Sequence, residues 1–156
     1  MSHYYLDSSA AVKLYVAETG ANWLRQLLLG ESPVAVISSQ LLRVELWSAF
    51  ARRRREGALS ASDFAQTIIW FTEHLHDLYR LTPMTEPLLQ TACVLLEKYP
   101  LRGADAIHLA TATLLNQQLA AAGLPPLTFL GADAHLNQAA LSEGLVTLDP
   151  NQAPSS

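Results

Sequence analysis

The chain has 156 residues, enough for one ordinary domain that buries its own core without disulfide or metal staples. Half of the residues are hydrophobic and only 15% are charged, which excludes a disordered or low-complexity chain. With 14 Asp and Glu against 10 Lys and Arg, the net charge is −4, which excludes a general nucleic-acid coat. In chain order, His3–Leu6 reads as a short strand, and a helical pattern follows from Ser9 to about Ala17. After a break at Gly20, Leu24, Leu27 and Leu28 set one apolar face of a helix over Ala21–Leu29. Val34–Ser38 is the strongest strand pattern, and Ser39–Glu56 a long helix ended by Gly57. A cap at Ser60 opens a further helix through about His76, Arg80–Pro83 reads as a strand, and Thr85 caps a helix through Lys98. Ala104–Ala122 is a long apolar helix closed by Gly123. Leu127–Leu130 is a strand, Asp133–Glu143 a helix, and Leu145–Leu148 a last strand.

Strands alternate with helices, and the strands are continuous apolar runs rather than alternating ones. Both features predict an α/β fold of three layers, with a short central parallel sheet flanked by helices on both faces. One domain is expected over 1–149, with a frayed tail over 150–156. In open parallel sheets, ligands bind beyond the carboxyl ends of the strands near a switch in strand order, so chemistry is sought there. The single cysteine, Cys93, lies in an apolar helical run and is expected to be a buried, inert thiol. No basic and apolar leader follows Met1, and no apolar run reaches the roughly 18 residues of a membrane span, so a cytoplasmic protein is expected.

Four carboxylates stand out. Asp7 follows the first strand and Asp133 the strand at Leu127–Leu130, positions that suit helix capping as well as catalysis. Glu45 interrupts the apolar stretch Leu41–Phe50, where it needs a partner: a salt bridge to Arg52 or Lys13, or a metal ion. Asp105 opens the most apolar helix, where the helix dipole alone would favour it. An α/β fold brings all four toward one edge of the sheet. Their mutual repulsion would be relieved by a divalent cation that prefers oxygen ligands, Mg²⁺ or Mn²⁺, as in metal-assisted phosphodiester hydrolysis. Arg52, Arg53, Arg54 and Arg55 form the one basic cluster, either a solvated helix end or a contact for a phosphate backbone. His108, one turn beyond Asp105, is expected to pack and hydrogen-bond rather than act as a base. His74 and His76 point to different helix faces, and Trp47 and Trp70 are expected in the core or at a dimer interface. Ser9 stands where an aspartyl-phosphate phosphatase would need a second carboxylate, which argues against that chemistry.

The stretches Tyr4–Tyr15, Arg43–Phe50, Leu101–Ala112, Phe129–Ala140 and Glu143–Pro150, in this order, resemble a PIN domain of the type found in the ribonuclease toxins of VapBC toxin–antitoxin pairs. The resemblance implies that Asp7, Glu45 and Asp105 form an acidic metal-binding and catalytic triad, with Asp133 as a fourth, more variable acid. It implies that Ser9 orients the first carboxylate or a water. Gly131 departs from the pattern, which often has Thr or Ser two residues before the fourth acid. The implied activity is Mg²⁺- or Mn²⁺-dependent endoribonuclease cleavage of RNA by a homodimer held in check by a small VapB-type antitoxin. The alternative is a catalytically degenerate scaffold that binds RNA or protein without cutting.

Overall fold

Five short strands lie side by side in the order β3-β2-β1-β4-β5, every neighbouring pair parallel, in a computed structural model that describes residues 1–153. They are β1 (Ser2–Leu6), β2 (Val34–Ser39), β3 (Tyr79–Thr82), β4 (Thr128–Leu130) and β5 (Val146–Leu148). Side chains alternate across a strand, and here each alternation feeds a separate core. On one face Tyr5, Ala35, Ile37 and Phe129 pack with Leu88, Leu95, Leu109 and Leu136 from α5 (Glu86–Lys98), α6 (Gly103–Ala121) and α7 (Ala134–Ser142). On the other, Leu6, Val36 and Leu130 pack with residues of α1 (Ser8–Ala11), α2 (Ala21–Leu29), α3 (Leu42–Arg55) and α4 (Ala61–Asp77). The expected three-layer architecture is thus present, and its strands read as continuous apolar runs because both faces are covered.

Most predicted boundaries lie within a residue or two. Ser60 accepts from Asp63 N at 3.0 Å and Thr85 from Leu88 N at 3.4 Å, the caps foreseen for α4 and α5. Three expectations need correction. The helix anticipated over Ser9–Ala17 ends at Ala11 and continues only as a 3-10 turn, Val12–Leu14. Beyond it, Tyr15 turns inward to His74 Nδ1 at 2.8 Å and Tyr79 Oη at 3.1 Å, and from within it Lys13 reaches forward to the Thr19 carbonyl. The helix anticipated from Ser39 starts at Leu42, because Ser39 ends β2 and Gln40 N continues its ladder onto the Thr82 carbonyl. Cys93 is exposed rather than buried: α5 buries Leu88, Ala92 and Leu95, and position 93 falls on the opposite side of that stripe.

The chain end is partly ordered. Pro150–Gln152 forms a 3-10 turn in which Pro150 is buried, while positions 154–156 of the expected tail lie outside the described residues. Pro150 packs on Gly20, which has φ +81°. A side chain at Gly20 would collide with the Pro150 carbonyl, so glycine is needed there for space as well as for its backbone angle. Among the described residues no helix is long and apolar enough to cross a membrane.

Candidate active site

The strand order places a switch between β1 and β4: β1 is followed by strands to one side, and β4 opens the other side. The crevice at such a switch is where the carboxyl ends of two strands diverge and expose backbone groups to a ligand. Asp7 and Asp133 stand at its two lips, directly after β1 and shortly after β4.

Asp7 is 2% exposed. Its Oδ1 caps α1 by accepting from Ala10 N at 3.0 Å, and the Ser9 hydroxyl lies 2.7 and 2.8 Å from its two oxygens. Ser9 Oγ in turn accepts from Ala132 N at 2.9 Å, so one hydroxyl ties the ends of β1 and β4 together. Burial pushes the Asp7 carboxyl up to about 6. The neighbouring His108 and the hydrogen bonds from Ser9 and Ala10 pull it down, and the charge of Asp105 adds to the rise. Asp7 therefore serves as a cap, and it is also a carboxylate held at an energetic cost that capping does not require.

Glu45, in the first turn of α3, finds neither of the cationic partners anticipated for it. Lys13 binds Glu18 at 3.3 Å, and Arg52 lies two turns farther along α3. Instead Glu45 Oε1 meets His108 Nε2 at 2.5 Å, and Oε2 accepts from Ser8 Oγ at 3.1 Å. His108 is 1% exposed, and its Nδ1 meets the hydroxyl of Tyr5 at 2.8 Å. Burial keeps Tyr5 protonated. A carboxylate offers no hydrogen, so Nε2 donates to Glu45, while Nδ1 and the Tyr5 hydroxyl share the hydrogen bond on the other side of the ring. His108 thus packs and hydrogen-bonds as expected of it, and its partner is the acid in question. α3 itself is less enclosed than its sequence suggests: Leu42, Leu46 and Phe50 are buried, whereas Val44 and Trp47 are exposed. Trp47 is accordingly outside the core.

Asp105 Oδ2 forms an ion pair with Arg102 Nε at 3.6 Å, and Asp133 caps α7 by accepting from Leu136 N at 3.0 Å. These two acids, with Arg102 and His135, line a depression of about 340 Å³. A larger cleft of about 490 Å³ is lined by Ser8, Ser9, Glu45, Arg52, Arg53 and Arg102. Arg102 borders both. Of the four clustered arginines only Arg52 and Arg53 face the cleft. Arg54 lies over the Phe64 ring, 5.2 Å from its centroid. Arg53 is held by Glu18 at 2.6 Å. Partial burial would raise the Glu18 carboxyl, but the hydrogen bonds from Arg53 and Lys13 outweigh it and hold the group below the ordinary carboxylate range.

The glycine at 131 has a structural complement. Asn137, buried on α7, donates from Nδ2 to the Gly131 carbonyl at 2.7 Å, and its Oδ1 occupies the space a side chain at 131 would need. An alanine Cβ there would fall inside contact distance of Asn137 Oδ1 and only 2.8 Å from Phe129 Cε1. Gly131→Ala is therefore expected to destabilise the fold by about 1–3 kcal/mol, read as a lower denaturant midpoint. Gly131→Ala combined with Asn137→Ala should recover part of that loss. A neutral Gly131→Ala would show that the turn before Asp133 is slack.

Most of the donors brought to this edge are oxygen atoms suited to Mg²⁺ or Mn²⁺: the carboxylates of Asp7, Glu45, Asp105 and Asp133 and the hydroxyls of Ser8 and Ser9, with the imidazoles of His108 and His135 beside them. Burial is what raises the Asp7 carboxyl, with a smaller contribution from Asp105, and a bound cation would favour its charged form. The carboxylates are not, however, already folded round one point. Among the described residues no three His, Cys, Asp or Glu side chains stand close enough together to hold a metal ion. Glu45 is turned onto His108 and Ser8, and Asp105 faces Arg102. The residues fit a divalent cation in chemistry and charge, and these side chains would have to rotate to surround one.

The chain is similar to one protein family, to curated ribonucleases and to solved structures. The PIN domain family matches residues 4–123, a segment that holds Asp7, Glu45 and Asp105 and stops short of Asp133. The chain is 30% identical over 148 residues to ribonuclease VapC47 of Mycobacterium tuberculosis, covering 94% of this chain and 96% of that protein. It is 37% identical over 109 residues to ribonuclease VapC45 of the same species, covering 69% and 73%. Among solved structures, VapBC2 from Rickettsia felis bound to a DNA fragment from its promoter superposes with TM-score 0.63 at 10% identity, over 94% of this chain and 98% of that one. VapC20 of M. tuberculosis, described as a sarcin–ricin loop cleaving toxin, gives 0.61 at 16% identity, over 87% and 94%. At such identities the two structures speak for the fold alone.

Proposed function

Because the chain belongs to the PIN-domain family, we propose that it is a divalent-metal-dependent endoribonuclease that hydrolyses RNA phosphodiester bonds, the toxin of a VapBC-type pair. The observation that carries this reading is the buried Asp7 carboxylate, which burial raises to about 6 and which Ser9 holds by both oxygens. A fold that needed only a cap at this position would not bury a charge beside a second acid. Asp7, Glu45 and Asp105 are assigned as ligands of Mg²⁺ or Mn²⁺, with Asp133 as a fourth. When bound, such an ion supplies an activated water and neutralises charge on the phosphoryl oxygens.

The chain's own residues do the positioning. Ser9 holds Asp7 by both oxygens, and Ser8 and His108 hold Glu45. Arg52 and Arg53 line the same cleft and offer cationic groups to the RNA backbone, which locally offsets the net charge of −4. Arg54 and Arg55 do not line the cleft and are left out of that role. The same reading gives the protein a VapB-type antitoxin as partner, a homodimer as its assembly and the cytoplasm as its location.

The test is cleavage of a single-stranded RNA by protein stripped of metal with a chelator. Added Mg²⁺ or Mn²⁺ should restore cutting, and Glu45→Gln and Asp105→Asn should each lower it by at least about 100-fold with an unchanged circular dichroism spectrum. Full cutting by either variant, or cutting that ignores the chelator, contradicts the reading. Binding of RNA or antitoxin with no cutting under any metal would favour the degenerate scaffold.

A further inference from the structure

Arg102 is a poor residue for the place it occupies. It is the N-cap of α6, a 19-residue helix, and it provides no side-chain hydrogen bond to the helix start. Ser, Thr, Asp or Asn would satisfy an orphan N–H there, whereas a cation meets the positive end of the helix dipole. Its pairing with Asp105 does not explain it either. The side chain is 86% exposed and the separation 3.6 Å, and an exposed pair of that kind adds little to stability. Local rules broken without structural gain tend to mark function.

The position explains what the local structure does not. Arg102 is the one residue that lines both the cleft holding Ser8, Ser9 and Glu45 and the depression holding Asp105 and Asp133. Arg52 and Arg53 line the same cleft from α3. Arg53 is immobilised by Glu18, whereas Arg102 is on a long, exposed and weakly held side chain beside the acids. A guanidinium can grip a phosphate through two parallel N–H donors, and Arg keeps its charge at any working pH.

We propose that Arg102 grips the phosphate at the bond to be cut and changes partner to do so: it rests on Asp105 in the free protein and transfers to the RNA phosphate in the complex. The proposal rests on the ribonuclease reading, since it presumes an RNA strand in this cleft. Release of Arg102 also frees Asp105 for its own role.

Two variants test it, Arg102→Ala and Arg102→Lys, both at an exposed position that the fold does not depend on. Arg102→Ala should lower kcat/KM for RNA roughly 10-fold to 100-fold, the loss of one charge-assisted phosphate contact. Arg102→Lys should keep the charge but not the two-pronged grip, and fall in between. The readout that a merely structural arginine would not move is the salt dependence of RNA binding, measured in an Asp7→Asn background at fixed Mg²⁺. Removing Arg102 there should flatten the slope of log K against log salt by about 0.7, one phosphate on a single strand. Calorimetric titration of RNA-free protein with Mn²⁺ should show Arg102→Ala binding at least as tightly as wild type. Weaker Mn²⁺ binding would make Arg102 a support for Asp105 instead and overturn the proposal, as would an unchanged slope. Absence of metal-stimulated cleavage by the wild type would defeat the ribonuclease reading, while the slope still decides whether Arg102 contacts phosphate. A wild type that cuts, with Arg102→Ala equal to it in kcat/KM and slope, would defeat the Arg102 proposal alone.

Discussion

Replacing Asp7 by Asn is expected to end RNA cleavage and, in the absence of metal, to make the protein more stable. The first effect follows from the metal-ligand role proposed for Asp7, the second from its burial, which raises the carboxyl from 3.8 to about 6. An acid with a raised folded pKa binds its proton more tightly in the folded chain, so ionising it at neutral pH opposes folding. The difference between 3.8 and about 6 corresponds to about 3 kcal/mol at neutral pH. Asn keeps an acceptor for Ala10 N and sheds the charge, so a gain of about 1–3 kcal/mol is expected, at roughly 2–4 °C of melting temperature per kcal/mol. The sign fixes the pH window. Metal-free wild type gains stability as pH falls through about 6, Asp7→Asn does not, and the gap between them closes toward pH 3.8. Saturating Mg²⁺ should reverse the order, because a ligand that binds only the folded state stabilises it and the variant has lost a ligand group. Thermal melts at several pH values with and without Mg²⁺ read all of this. A less stable Asp7→Asn at neutral pH would mean that Asp7 is chiefly a cap.

Removing His108 is expected to produce the largest loss of stability among the site residues. Its two ring nitrogens serve Tyr5 and Glu45, and Tyr5 is fully buried. His108→Leu takes the imidazole from the Tyr5 hydroxyl, leaving it only the Thr111 and Ser38 hydroxyls, and leaves Glu45 held by Ser8 alone, a cost of about 2–4 kcal/mol. It should also impair cleavage, because Glu45 is no longer held in place. The control is His108→Leu combined with Tyr5→Phe. Deleting both partners of a buried hydrogen bond costs much less than deleting one, so the double variant should regain about 1–3 kcal/mol over His108→Leu. The regained stability should not restore cleavage, since Glu45 still lacks its imidazole. Additive losses in the double variant would mean that Tyr5 and His108 are not coupled. Recovered cleavage would show that His108 acts only through stability.

The layers of this fold were legible because they rest on local patterns. Leu24, Leu27 and Leu28 are spaced for one helix face, and the expected bounds Ala21–Leu29 are those of α2. Ser60 and Thr85 stand where caps are needed, and the strands are short apolar runs because helices cover both faces. The strand-end acids Asp7 and Asp133 were visible for the same reason, as they follow β1 and β4 in the chain. What the pattern could not show is pairing across the fold. Glu45 and His108 are 63 positions apart, and no spacing rule joins them; charge alone pointed to Arg52 or Lys13 instead. The signal available was an ionisable ring in the most buried part of α6, beside Ala106, Leu109 and Ala110. The early end of α1 has a similar origin, because Tyr15 is claimed by His74 and Tyr79 from distant elements. Cys93 was misplaced because its neighbours are apolar on both sides, and only the stripe Leu88, Ala92 and Leu95 tells which side of α5 is buried.

In the proposed function a divalent cation draws together carboxylates that lean on other partners in its absence. The most direct measurement is the anomalous scattering of a crystal of the protein grown or soaked with Mn²⁺. The expected result is a single strong peak between Asp7 and Asp105, within about 2.1 Å of an oxygen of each, with Glu45 turned from His108 toward it. A peak elsewhere on the protein, or none among these acids at Mn²⁺ concentrations that support RNA cleavage, would contradict it.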